Sequence, residues 1–204
     1  MWVVKLGGSL SDASVLPTWL DVLCRAGRGK IVVVPGGGPF ADQVRRAQQY
    51  WRFCDDAAHR MAVVAMQQFG YMLIGLRPEL RPAFSGQEAQ AILDHGGVAI
   101  WLPDIADLYR AGIPANWDVT SDSLAAWLAR QVGACRLVLI KSVPVEHVPV
   151  SCTQLTNDGI VDRAFAGFIA DGSFLSTIYG RDDHALFEVA ISAQREGGAA
   201  INAV

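Results

Sequence analysis

The stretch Lys5-Leu6-Gly7-Gly8-Ser9 follows directly on the apolar run Trp2-Val3-Val4, and Gly36-Gly37-Gly38-Pro39 follows the run Ile31–Val34 in the same way. Both apolar runs are short and rich in β-branched residues, which is typical of parallel strands buried on both faces. Glycine lets backbone N–H groups approach anionic oxygens, and Lys5 adds a mobile positive charge. One glycine after a strand is often only a turn. Two such loops, one of them with a lysine, predict a nucleotide and phosphate-acceptor site.

The rest of the chain alternates apolar strand patterns with helical spacing, which predicts an α/β fold around a mostly parallel sheet. In such sheets ligands bind at the carboxyl ends of the strands, where Lys5, Gly36 and Lys141 all fall. We expect a single domain over residues 1–204. The predicted strands are 3–6, 31–34, 98–102, 137–140, 174–179 and 199–202; the predicted helices are 15–26, 40–50, 55 to about 77, 122–130, 161–170 and 183–194, with a loop over 144–158.

Composition narrows the class of partner. The chain has 204 residues, 51% of them hydrophobic, and a formal net charge of -3. This charge argues against a nucleic-acid partner, which would need clustered Lys and Arg. The longest apolar helical stretch, residues 57–76, contains His59, Arg60 and two glutamines, so it is too polar to span a membrane. With no visible signal peptide and four widely separated cysteines, we expect a soluble cytoplasmic protein.

A third motif, Asp118-Val119-Thr120-Ser121-Asp122-Ser123-Leu124-Ala125, follows the two glycine loops in order. Together the three motifs resemble the amino acid kinase family, which includes acetylglutamate, aspartate, uridylate, carbamate and isopentenyl phosphate kinases. The resemblance covers nearly the whole chain. It implies a three-layer αβα sandwich that transfers the γ-phosphoryl group of ATP to a carboxylate, carbamate or phosphate. It also implies a homo-oligomer, and Mg²⁺ that enters with ATP rather than on protein side chains.

The resemblance assigns roles to residues at both loops. Lys5 matches the lysine that stabilises the transferred phosphoryl group, and Asp122 matches the aspartate that orients the catalytic lysines. A simpler alternative for Asp122 is helix capping, since one of Thr120, Ser121 and Asp122 is expected to cap. The implied nucleotide-binding residues are Lys5, Gly7, Gly8, Ser9, Lys141, Ser142 and Arg163; the implied acceptor-binding residues are Gly36, Gly37, Gly38, Asp42, Arg45, His59 and Asp118.

The sequence departs from the family pattern at two places. Lys141-Ser142-Val143-Pro144 stands where many relatives have Thr-Asp and an Asp-Gly turn, so this turn is rebuilt here, and its lysine can still reach the ATP phosphates. The segment Asn157–Arg163 lacks the second catalytic lysine of several relatives. Arg163 and Lys141 are the candidate substitutes, and we favour Lys141, because Asp162 and Arg163 fit an ordinary solvated helix start.

On the acceptor side, Arg45 lies within two turns of the triple glycine and is suited to clamp a phosphate, whereas helical arginines are usually solvated. His59 is more often structural in such a position, but its closeness to a phosphate pocket makes it a candidate. Asp42 and Asp118 are the carboxylates available to an ammonium group.

Within the family, the chain is most similar to a small branch that converts an (aminomethyl)furan-methyl phosphate to its diphosphate in the biosynthesis of methanofuran-type cofactors. One alternative is another kinase of this fold, for isopentenyl phosphate, an amino acid or carbamate. The isoprenoid branch carries a histidine where this chain has Asp42. A second alternative is a nucleotide-binding storage protein without catalysis, which the missing second lysine keeps open.

Overall fold

The computed structural model describes residues 1–170, 174–193 and 197–202. Its centre is an eight-stranded sheet in the order β3-β4-β2-β1-β5-β7-β8-β6, parallel except where β7 pairs with β8. The strands are β1 (Trp2–Leu6), β2 (Ile31–Pro35), β3 (Leu80–Ala83), β4 (Val98–Trp101), β5 (Arg136–Ile140), β6 (Val150–Ser151), β7 (Leu175–Tyr179) and β8 (Ala199–Asn202).

The position of β1 in the middle of the sheet decides where the site lies. It pairs in parallel with β2 on one side, with Lys5 opposite Val34, and with β5 on the other, with Leu6 opposite Ile140. All five residues of β1 are buried, as continuous apolar strands covered on both faces must be. The first glycine loop therefore leaves the sheet between the carboxyl ends of β2 and β5.

Helices cover both faces of the sheet and enclose two separate cores. The helices are α1 (Leu16–Ala26), α2 (Gly38–Trp51), α3 (Asp55–Leu76), α4 (Gly86–Asp94), α5 (Ile105–Arg110), α6 (Ser121–Gln131), α7 (Cys152–Asn157), α8 (Phe165–Ile169) and α9 (His184–Ala193), with a 3-10 turn over Gly8–Leu10. Successive strand residues point to opposite faces. Val4 and Val138 thus pack with α1 and α9, whereas Val3 and Leu137 pack with α4, α6 and α8. The predicted layered α/β fold is confirmed.

The structure corrects several predicted boundaries. The strand β3 and the helices α4 and α5 were not predicted, and the loop predicted over 144–158 contains β6 and α7. The helix predicted from Val161 begins only at Phe165, because the residues before it contact the start of α6. The predicted end of the last helix, Gln194, lies outside the described residues. Among the described helices, none has the length and apolarity needed to cross a membrane.

Candidate active site

The two glycine loops contact each other through their backbones. A Cβ atom on Gly8 would lie 2.3 Å from the Gly38 nitrogen, and one on Gly36 would lie 2.4 Å from the Gly8 nitrogen. Gly38 also has φ +54°, a left-handed conformation that side chains rarely adopt. Glycine is therefore required for close backbone packing, and the loops form one continuous surface at the end of the sheet.

Three charged side chains meet beside these loops. The Nζ atom of Lys5 lies 2.8 Å from Oδ1 of Asp122, and the Nζ atom of Lys141 lies 2.7 Å from both carboxylate oxygens. All three side chains are less than a tenth exposed. Lys5 lies in β1, Lys141 directly follows the neighbouring strand β5, and Asp122 is the second residue of α6, which packs on β1. The chain contains three lysines, and two of them share this one carboxylate.

Burial and charge set the protonation of this Lys–Asp–Lys cluster in opposite directions. Burial alone would raise the pKa of Asp122, but the charges of Lys141 and Lys5 lower it to about 2. Burial lowers the pKa of Lys141 to about 8, with Asp122 opposing the decrease and Lys5 adding to it. With both lysines protonated, the cluster has one positive charge in excess. A buried surplus of positive charge fits a phosphate group.

The cap of α6 differs from the prediction. Thr120 occupies the N-cap position, but its side chain accepts no capping hydrogen bond, and Asp122 is engaged by the lysines. The carboxylate of Asp162 caps the helix instead: it accepts hydrogen bonds from the backbone nitrogens of Thr120 and Ser123 at 2.9 and 3.0 Å. The interpretation of Asp162 as a solvated helix start is therefore wrong.

A cavity of about 300 Å³ adjoins the glycine loops. Many of the residues that the sequence predicts to bind the nucleotide or the phosphate acceptor line this cavity. Those in its lining are Lys5, Gly8, Ser9, Gly37, Gly38, Asp42, Arg45 and His59. Trp117, Thr120 and Ser121 line the same cavity but were not predicted as contacts. A hydroxyl pair beside a predicted phosphate site was a usable signal for Thr120 and Ser121, whereas nothing in the sequence places Trp117 there.

The acceptor-side polar residues are already engaged with each other. Arg45 pairs with Asp42 at 2.9 Å, and its guanidinium carbon lies 4.4 Å from the centre of the Trp117 ring. The Trp117 indole nitrogen donates to Oε1 of Gln48 at 2.6 Å, which fixes the plane of the ring. The cavity wall is thus an aromatic ring with a cation stacked on it and a carboxylate beside the cation.

His59 is buried in the lining of this cavity, and its Nε2 atom finds no hydrogen-bond partner among the described residues. Burial lowers the pKa of His59. The imidazole is therefore neutral at neutral pH, which makes it a hydrogen-bonding group rather than a positive charge for a phosphate.

The remaining predicted residues fall outside the cavity lining. Asp118 and Arg163 pair with each other at 3.4 Å at the surface, with the Arg163 side chain 83% exposed. Arg163 thus contacts neither Asp122 nor Lys5, unlike Lys141. Ser142 lies next to Lys141, and its hydroxyl lies 2.8 Å from that of Ser9, so the first glycine loop and the end of β5 are joined. Gly7 and Gly36 hold the loops by donating to Ile140 and Leu6.

The described part of the chain has no group of three or more His, Cys, Asp or Glu side chains that is suited to hold a metal ion. The arrangement can neutralise and position phosphate groups through lysines and backbone N–H groups. Such positioning and neutralisation are the main requirements of phosphoryl transfer.

Three solved structures with the same architecture are kinases. The chain superimposes on uridylate kinase from Archaeoglobus fulgidus with a TM-score of 0.73 and 17% identity, covering 98% of this chain and 99% of that one. For UMP kinase from Bacillus anthracis the TM-score is 0.72 and the identity 16%, with 99% of this chain and 95% of that one covered. For UMP kinase from Ureaplasma parvum the TM-score is 0.68 and the identity 13%, with 98% of this chain and 97% of that one covered. The fold is that of the amino acid kinases, and the resemblance predicted from the motifs is confirmed.

One relative is closer in sequence. The [5-(aminomethyl)furan-3-yl]methyl phosphate kinase of Methanocaldococcus jannaschii is 28% identical over 192 residues, which cover 93% of this chain and 79% of that protein. No protein-family model matches the chain. Since this relative and the three structures above are named as kinases, the predicted class, a kinase, is confirmed.

Proposed function

We propose that the protein transfers the γ-phosphoryl group of ATP to the phosphate of [5-(aminomethyl)furan-3-yl]methyl phosphate, giving the diphosphate and ADP. The observation that carries the proposal is the buried Lys5–Asp122–Lys141 cluster beside two glycine loops and a cavity. The similarity to the furan-methyl phosphate kinase supports the choice of acceptor.

In this reaction an oxygen of the acceptor phosphate attacks the γ-phosphorus while the bond from that phosphorus to the β–γ bridging oxygen breaks. Lys5, Gly7, Gly8 and Ser9 are the residues we assign to the ATP phosphates, with Lys141 and Ser142 behind them. Mg²⁺ bound to ATP would supply further charge neutralisation. The charge on the moving group rises in the transition state, so Lys5, which lines the cavity, stabilises the transition state more than the bound substrate.

The lining of the cavity favours an acceptor with a flat ring and an amine. Among the described residues, Asp42 is the one aspartate or glutamate in the lining, and Asp118 lies outside it, so we assign the ammonium group to Asp42. Trp117 offers an aromatic wall to a furan ring. An isoprenyl phosphate would place apolar carbons against Asp42 and Arg45, which costs desolvation energy without compensating hydrogen bonds.

The acceptor is tested by incubating the protein with ATP and each candidate phosphate and following diphosphate formation by ³¹P NMR. We expect turnover of the aminomethylfuran phosphate and at least tenfold lower kcat/KM for isopentenyl phosphate. Comparable turnover of the two would overturn the substrate assignment. ATP binding without any diphosphate would instead favour the storage protein.

The ammonium site has a matched control. Asp42→Ala should raise KM for the amine-bearing acceptor about tenfold and leave KM for ATP unchanged, because a charge-assisted hydrogen bond contributes about 1.5–3 kcal/mol. Asp118→Ala removes the same group outside the cavity lining and should leave both values unchanged. An effect of Asp118→Ala alone would reverse the assignment.

We also propose that the protein is a homo-oligomer located in the cytoplasm. Three apolar side chains on one side of α3, Met61, Val64 and Tyr71, are 39–53% exposed. Their spacing of three and seven residues aligns them along the helix, which suits a helix of a second copy. Sedimentation velocity measures the association, and a monomer at micromolar concentration would contradict it.

A further inference from the structure

Asp162 makes an unusually complete set of contacts for a residue outside the cluster. Its carboxylate accepts four hydrogen bonds: from the nitrogen and Oγ1 of Thr120, at 2.9 and 2.8 Å, and from the nitrogen, at 3.0 Å, and hydroxyl of Ser123. Asp162 lies between α7 and α8, about 40 residues beyond these donors. This tertiary contact ties two distant parts of the chain together at one helix turn.

The location of that turn gives the contact its importance. Asp162 holds Thr120, two residues before Asp122, and Ser123, one residue after it. The two contacts therefore enclose the residue whose carboxylate joins the two lysines. The first N–H groups of a helix have no partner within the helix and need an external acceptor. Asp162 provides it, and its negative charge at this end of α6 is favoured by the helix dipole.

A second contact from the same segment holds the preceding turn. The nitrogen of Ala164 donates to the carbonyl oxygen of Asp118 at 2.9 Å. The chain is therefore fixed on both sides of Val119, and the approach to α6 cannot shift independently of the segment 162–164.

We propose that Asp162 is a positioning residue for phosphoryl transfer: it fixes the first turn of α6 so that the Asp122 carboxylate bridges Lys5 and Lys141. The proposal rests on the proposed kinase function only for its effect on turnover. The geometric claim concerns the lysines themselves and is measurable without any substrate.

Burial and the neighbouring Asp122 raise the pKa of Asp162, while the donors from Ser123 and Thr120 oppose the increase. All four partners are donors, so they hold the ionised form. Asparagine at this position keeps the size of the side chain but replaces one acceptor oxygen by an NH₂ group that faces donors. The substitution Asp162→Asn should therefore loosen the turn without opening a cavity.

The direct test follows the lysine titrations by NMR with ¹³Cε-labelled lysine. The three lysines give few signals, and Lys30, which lies away from the cluster, serves as the internal reference. In Asp162→Asn the pKa of Lys141 should fall by at least half a unit, because a displaced Asp122 no longer offsets burial. Lys30 should not change. If Asp162 only stabilises the fold, Asp162→Asn should lower the midpoint of thermal unfolding and leave the pKa of Lys141 unchanged. An unchanged pKa of Lys141 would therefore overturn the proposal.

Two further variants complete the experiment. Asp158→Asn makes the same chemical change at an exposed position in the neighbouring turn and should leave Lys141 unchanged. Ser123→Ala removes one donor to Asp162 and should also lower the pKa of Lys141, but by less than Asp162→Asn does. If Asp162→Asn does not fold, Ser123→Ala decides: an unchanged Lys141 in this variant overturns the proposal.

Turnover gives the second readout. We expect about tenfold lower kcat in Asp162→Asn with KM for ATP within about twofold, since only the transition state needs both lysines aligned. No turnover by the unmodified protein would count against the proposed function, and the lysine titrations would still test Asp162. Full kcat in a folded Asp162→Asn variant would overturn its positioning role.

Discussion

At the scale of single residues, the site depends on a carboxylate that is buried between two lysines. A buried ionised group is stable only when it is paired and hydrogen-bonded, and Asp122 satisfies this condition with three contacts to two lysines. The two lysines need a second anion to balance their charge. A phosphate entering the adjoining cavity would supply it, so the cluster is suited to bind an anion as well as to organise the fold.

Lys5→Ala should reduce kcat by about 10²–10³, the usual cost of removing one electrostatic contact to a transition state. Binding of ATP should weaken much less. Lys30→Ala is the matched control, because among the described residues the Lys30 ammonium group hydrogen-bonds to the carbonyl oxygen of Ile191, at 3.5 Å, and to no group of the cluster. Steady-state kinetics of both variants measure the difference, and an unchanged kcat in Lys5→Ala would remove this residue from the mechanism.

The protonation of Lys141 predicts a loss of activity in alkaline solution. Its pKa in the folded protein without ligand is about 8, below the ordinary 10.5, so kcat/KM should decline as the pH rises above about 8. Between pH 8 and 10.5 the unfolded chain binds more protons at this group, so its contribution to the free energy of unfolding rises with pH. Deprotonation of Lys141 therefore lowers activity without destabilising the fold.

In Asp122→Asn the decline in activity should move to lower pH. Lys141 stays buried in this variant but loses the negative charge of Asp122, so its pKa falls further. The helix should persist, because Asp162 caps its first turn and Asp122 does not. Arg163→Ala, which changes an exposed cation, should leave the pH profile unchanged. A profile that moves with Arg163 and not with Asp122 would make Arg163 the second catalytic cation.

At the scale of elements, the two glycine loops act as one unit. Their backbones are in contact, so a side chain on either loop has to push the other away. Each loop is anchored to a neighbouring strand: Gly7 donates to Ile140 at the end of β5, and Gly36 donates to Leu6 at the end of β1. The surface that faces the phosphates is therefore set by strand pairing.

Gly8→Ala should lower both stability and activity, since its Cβ would lie 2.3 Å from the backbone nitrogen of Gly38, which cannot yield as a flexible side chain does. Gly75→Ala is the control in the exposed last turn of α3, where a Cβ meets nothing within 4 Å. It should stabilise the protein by up to about 1 kcal/mol. Chemical denaturation measures both, and equal effects of the two variants would show that the loops are not in tight contact.

At the scale of the whole molecule, parallel pairing brings together groups that are far apart in sequence. β1 and β5 are separated by more than a hundred residues, yet they lie side by side and bring Lys5 and Lys141 to one carboxylate. The site exists only in the native state, so a ligand that binds it must stabilise the whole fold against unfolding.

ATP at a hundred times its dissociation constant should add about 2.7 kcal/mol to the free energy of unfolding. For a chain of this size, that is a rise of roughly 5–10 °C in the midpoint of thermal unfolding. Adenosine, which lacks the phosphates, should give no comparable rise. Scanning calorimetry measures both, and the absence of a shift at millimolar ATP would contradict nucleotide binding by this protein.

The amino-acid sequence by itself determined most of the sheet. Short apolar runs identify β1, β2, β4, β5, β7 and β8. The first five are buried at nearly every position, as strands covered on both faces are, whereas β8 alternates buried and exposed residues. The edge strand β3 has no such apolar run, since Arg81 and Pro82 are exposed, and it was therefore not predicted. The glycine loops and Lys5 were also readable, because their chemistry is local.

Only the tertiary structure decided how distant residues meet. It placed Trp117 against Arg45, paired Arg163 with Asp118 at the surface, and placed Asp162 at the start of α6. Contacts of this kind join residues across tens of positions, and their partners depend on how helices and loops pack on the sheet. A local pattern such as Val161-Asp162-Arg163 is compatible with both a solvated and a buried carboxylate. The packing of the segment against α6 decides between them, because it supplies the four donors that offset the cost of burying the charge.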